Sequence, residues 1–130
     1  MFVQQDWLMR QIEMMVSAIL RLFFGDRSQD SALREELSQG GAEELRENLI
    51  ALLHAGQLGK AEDLLFEHLD GENKSTLAVA ADFYRRANAL SDEELEAQDF
   101  TREELLEGLG EAVKRCGLFL PGLWDSPSNP

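Results

Sequence analysis

Two histidines, His54 and His68, and one cysteine, Cys116, are the residues of this 130-residue chain whose types best suit metal binding or nucleophilic chemistry. A zinc site needs several His, Cys or carboxylate ligands at short fixed spacings. The chain has neither a His-Glu-x-x-His run nor a cysteine pair. His68 stands within reach of Glu62 and Glu67, and this is the one constellation from which a small ligand- or metal-binding helical protein or enzyme could be built. His54 lies one helical turn after Ile50 and points to a contact with a neighbouring helix. Cys116 continues an apolar stripe through Leu105, Leu106, Leu109, Ala112 and Val113, which reads as a small buried hydrophobe and not as an activated thiolate.

Other motifs fail on their chemistry. Gly56-Gln57-Leu58-Gly59-Lys60-Ala61 echoes a phosphate-binding loop, but that loop requires glycine where His54 stands and Ser or Thr where Ala61 stands. Gly108-x-Gly110 lies inside an amphipathic helical pattern, where glycine permits close helix packing. Glu43, Glu44 and Glu47, and the cluster Glu93, Glu94, Glu96 and Asp99, have no calcium-loop spacing and read as solvated helix faces. No catalytic residue, cofactor-binding residue, metal ligand set or cofactor is expected, and the balance is against an enzyme.

The elements follow from composition. The chain has 22 Leu, 16 Glu and 13 Ala but nine β-branched residues, a mixture that favours helix over strand. Twelve basic residues against 25 acidic leave a net charge of −13, which excludes the phosphate-neutralising surface of a nucleic-acid binder. A single cysteine excludes a disulfide scaffold and points to a reducing, cytoplasmic setting. The length fits one domain.

The charge is unevenly placed. Asp6, Arg10, Glu13 and Arg21 cancel within residues 1–25, so the whole excess falls in 26–130. Arg10, Glu13 and Arg21 interrupt the first segment too soon for a membrane span, and its start does not suit a signal peptide. On a helix, Arg10, Glu13, Ser17 and Arg21 form a narrow polar stripe, while Trp7, Leu8, Ile12, Met15, Val16, Ile19, Leu22 and Phe23 spread over half the circumference. An arc that wide fits either a fully buried central helix or a helix with one face on its own core and another on a partner. Trp7, Leu8, Ile12, Met15, Ile19, Leu22 and Phe23 are the candidate interface, for a protein partner or a second copy as a homodimer. Contact with a membrane surface ranks behind these, because the polar stripe is not rich in Lys.

Beyond Gly25, a short helix is predicted over 30–37, a turn at Ser38-Gln39-Gly40-Gly41, and helices carrying Leu45, Leu49, Leu52 and Leu53, then Leu58, Ala61, Leu65 and Leu69. Ser75 is the predicted N-cap of a helix running to about Ala89, whose Ala78-Val79-Ala80-Ala81 run allows close approach. Capping boxes at Ser91-x-x-Glu94 and Thr101-x-x-Glu104 open two further helices. Phe119 and Leu120 are expected to reach the core, with a flexible tail over 121–130 in which Trp124 either docks or offers a partner an anchor.

The segment 48–69 resembles a tetratricopeptide-type helical hairpin, with Gly56 in the turn, Leu58 two residues on, Ala61 five after the glycine and Leu65 at the next turn. Leu90 and Leu95 occupy the positions 34 residues on, so no second copy follows in register. The whole chain is also similar to an uncharacterised family of small acidic helical proteins from bacteria. The similarity rests on Gln5-Asp6-Trp7, Arg10–Glu13, Phe83-Tyr84, Leu90–Leu95, Phe100–Glu104 and Gly108-Leu109. It implies a mostly helical, tetratricopeptide-like domain and carries no activity. The expected molecule is an all-α, single-domain array of antiparallel hairpins with a long apolar N-terminal helix (1–25), an acidic body (26–120) and a tail (121–130). The expected role is a non-catalytic interaction or self-association module.

Overall fold

The computed structural model describes residues 2–25, 35, 37–39 and 41–117, and in the first helix the side chains of 5–22. Among the described residues every regular element is helical: α1 (Phe2–Phe24), α2 (Glu43–His54), α3 (Leu58–His68), α4 (Lys74–Asn88), α5 (Asp92–Ala97) and α6 (Arg102–Arg115). The helix expected over 30–37 falls mostly outside the described residues, although Glu35 and 37–39 are helical. The turn after it comes late, since 38 and 39 are still helical and the chain reverses at Gly41 with φ +73°. The expectations for Phe119, Leu120 and Trp124 lie outside the described residues.

Local chemistry sets the helix ends. Ser91 Oγ accepts from the Glu94 N–H at 3.1 Å while Glu94 Oε1 accepts from the Ser91 N–H at 2.8 Å. Thr101 and Glu104 make the same reciprocal pair at 3.1 and 2.9 Å, so both capping boxes form. The cap of α4 is Asn73 and not Ser75: Asn73 Oδ1 accepts from the Ser75 N–H at 3.1 Å, and Ser75 is buried at the second position of the helix. α2 ends where the Gln57 N–H bonds Leu52 O and the Gly56 N–H bonds Leu53 O, with Gly56 at φ +73°. That reversal needs only residues 55–57 before α3 begins, which makes α2 and α3 a packed hairpin.

α4 is the hub, touched by α1, α2, α3 and α6, while α1 also packs on α6. Twelve of its fifteen residues are buried, although it carries Asp82 and Asn88. Small Ala78, Ala80, Ala81 and Ala87 let neighbours close from several sides, and Phe83 and Tyr84 fill the space between them. The central, most buried helix is therefore this one. The more apolar α1 contributes Leu8, Ile12, Met15, Val16, Ile19 and Leu20 to the core and leaves its other face open. No helix among the described residues is long and apolar enough to cross a membrane.

Candidate functional site

The residues expected to form one interface on α1 divide between two faces. Leu8, Ile12, Met15 and Ile19 are buried against α4 and α6 side and serve the chain's own core, so they are not available to a partner. Trp7 and Leu22 point outward, 56% and 58% exposed, together with Met14 at 52%. The Phe23 side chain lies outside the described residues. The division is geometric: at about 100° per residue, residues 8, 12, 15, 16, 19 and 20 fill one arc, while 7, 14, 18 and 22 fall on another. Trp7, Met14 and Leu22 are the exposed large apolar side chains among the described residues, and all three belong to this second stripe. A shallow groove lined by Arg10, Glu13, Met14, Ser17, Ala18 and Arg21 runs beside it.

The residues considered for metal or acid–base chemistry are not brought together. His68 is exposed, with Nδ1 3.1 Å from Leu64 O on its own helix. His54 is exposed at the end of α2. Glu62 turns inward instead, where Oε2 accepts the Tyr84 hydroxyl proton at 2.5 Å. Among the described residues no group of three His, Cys, Asp or Glu is placed to hold a metal. Burial, followed by the charge on Asp70, pushes the Cys116 thiol up, against a lowering hydrogen bond with Thr76. A thiol held protonated in this way is a poor nucleophile.

The Glu62–Tyr84 pair is a junction of α3, α4 and α6. Burial raises the Glu62 carboxyl above its ordinary value; the Tyr84 hydrogen bond opposes this, and Asp63 and Glu104 add to it. Burial, then the Glu62 charge and hydrogen bond, push the Tyr84 phenol up as well. Gly108 of α6 passes directly over the pair, and a methyl group there would overlap both Glu62 Oε2 and Tyr84 Oη. Closed over by Gly108, the pair reads as a packing contact.

A second polar centre locks four helices and was not visible as such in the sequence. Arg102, at the first position of α6, is buried and gives each of its five N–H groups an acceptor. Nε donates to Gln5 Oε1 at 3.3 Å; Nη1 to Asn88 O at 2.7 Å and Asn88 Oδ1 at 3.1 Å; Nη2 to Leu90 O at 3.0 Å and Asp92 Oδ1 at 2.7 Å. Asn88 Nδ2 in turn donates to Met9 O at 3.1 Å. The lock ties the end of α4 to the starts of α5 and α6 and to α1, and it joins Gln5, Leu90, Asp92 and Arg102, all within the segments that carried the family similarity. A cleft of about 330 Å³ lies over it, lined by Gln5, Asp92, Leu95, Glu96, Phe100, Thr101 and Arg102. With all five N–H groups committed, Arg102 has none left for a ligand.

No curated protein and no solved structure matches the chain. A family model does, over residues 2–117, which takes in the described helices from α1 to α6. The chain therefore belongs to the family of unknown function DUF6483.

Proposed function

We propose that this chain is a non-catalytic helical module that self-associates through the outward stripe of α1, with a second copy as the first occupant and another protein as the alternative. One observation carries the reading: Trp7, Met14 and Leu22, the exposed large apolar side chains among the described residues, share one stripe of one helix. Charge supports a second copy as the occupant. The net charge of residues 1–25 is zero while the chain carries −13, so two copies repel least where their first helices meet. A contact of the same stripe with itself is the isologous kind on which closed dimers are built. The α2–α3 hairpin, with Gly56 in its turn and Ala61 buried at the crossing, supports a tetratricopeptide-like packing of one unit and not an array. Light scattering over a concentration series tests the proposal on the full chain and on the Trp7→Ser, Leu22→Ser double variant. A wild-type dimer that the variant loses while still unfolding in one cooperative thermal transition supports it. A wild-type monomer throughout, or a variant that dimerises equally well, refutes self-association.

A further inference from the structure

Asp82 sits on the hub helix with its side chain 2% exposed, and three arginines converge on it. Arg46 of α2 donates through Nε to Oδ2 at 3.2 Å. Arg86 donates through Nε to the same oxygen at 2.9 Å, and Arg85 through Nη2 to Oδ1 at 2.5 Å. One guanidinium suffices to neutralise a carboxylate, so three leave a formal excess of two positive charges at one point of a chain whose net charge is −13. The arginine side chains are 30–39% exposed. No hydrogen bond among the described residues engages the terminal nitrogens of Arg46 and Arg86, or the Nε and Nη1 of Arg85.

We propose that Arg46, Arg85 and Arg86, held in place by the buried carboxylate of Asp82, form a binding site for a phosphate dianion, either free or as the terminal group of a phosphorylated small molecule. Asp82 accepts one N–H from each guanidinium and anchors it, leaving the remaining N–H groups for an oxyanion. Planar forks of this kind match the several oxygens of a phosphoryl group better than a point charge does. The twofold excess charge matches a phosphate monoester or inorganic phosphate near neutral pH. Nothing in this site draws on α1, so it stands or falls independently of self-association.

Titration calorimetry and thermal shift with inorganic phosphate and with glycerol phosphate, at ionic strength matched by sodium chloride, test the site. One saturable phosphate per chain is expected, with a transition temperature that rises with phosphate concentration. Arg85→Gln and Arg46→Gln each weaken binding by at least about tenfold, Arg85→Lys weakens it less, and Arg21→Gln leaves it unchanged. Tighter binding of glycerol phosphate assigns the site to a phosphorylated small molecule, and equal or weaker binding assigns it to free phosphate. No saturable response to either probe overturns the proposal, as does undiminished binding by the folded Arg46→Gln and Arg85→Gln proteins. Circular dichroism of each variant establishes that it is folded before binding is read.

Discussion

Gly108 and Gly59 both lie within helices, and they should respond in opposite directions to the same substitution. Alanine is favoured over glycine in a helix by about 1 kcal/mol. At Gly59 nothing stands within 4 Å of an added methyl group, so Gly59→Ala raises stability by about 0.5–1 kcal/mol. At Gly108 the same methyl group meets Glu62 and the enclosed Tyr84 ring, so Gly108→Ala lowers stability by about 1–3 kcal/mol despite the better propensity. Thermal or urea unfolding of the two variants reads both signs. Glu62 adds a pH dependence: its raised pKa means that the folded state binds the proton more tightly than the unfolded chain. The associated stability is present at low pH and is lost as pH rises from about 4.5 through the folded value. Glu62→Gln keeps an acceptor for Tyr84 without the charge, so it should be the more stable protein at pH 7, with the gap closing as pH falls. A variant less stable than wild type at pH 7 would mean that the carboxylate–phenol bond outweighs the cost of burial.

At the level of elements, the Arg102 lock makes α6, α4 and α1 one unit. Arg102→Lys preserves the charge but not the five-donor fork, leaving buried carbonyls of α4 and the following turn unpaired. A loss of about 1–3 kcal/mol is expected. Arg21→Lys, exposed on the polar stripe of α1, should stay within about 0.5 kcal/mol. Chemical denaturation separates the two. Much of this layer was legible beforehand, because caps and turns are local: both capping boxes and the Gly56 turn follow from residues three or four apart. The N-cap of α4 was missed by two residues because Asn73 and Ser75 are both good caps, and it is Asn73 that keeps an extended backbone and caps the Ser75 N–H. The hub was harder to read. Side-chain hydrophobicity pointed to α1, whereas centrality was decided by small residues that let several helices approach α4. Arg102 gave no signal of burial, since its acceptors are two backbone carbonyls and three side-chain oxygens that only the packing of α1, α4 and α5 around it brings together. The Asp82–Arg85–Arg86 spacing of three and four was a readable helical ion cluster, but the contribution of Arg46 depends on how α2 packs.

Across the whole molecule, charge and hydrophobicity are segregated. The excess negative charge lies beyond residue 25, and the exposed large apolar side chains among the described residues lie on α1. The carboxylates then act as a solvating coat, and the uncoated helix is where association is least opposed. Added salt should tighten a dimer of such chains, because screening weakens repulsion between the acidic bodies and leaves apolar burial intact. Each large apolar side chain withdrawn from water contributes about 1.5 kcal/mol or more. Losing Trp7 and Leu22 from both copies should therefore weaken dimerisation by at least about a hundredfold. Sedimentation equilibrium is the most direct measurement, run on wild type and on Trp7→Ser, Leu22→Ser at low and high sodium chloride. The expected result is a reversible wild-type dimer that tightens with salt, beside a variant that stays monomeric and still unfolds in one cooperative thermal transition. A wild-type protein that remains monomeric at every concentration and salt would contradict it.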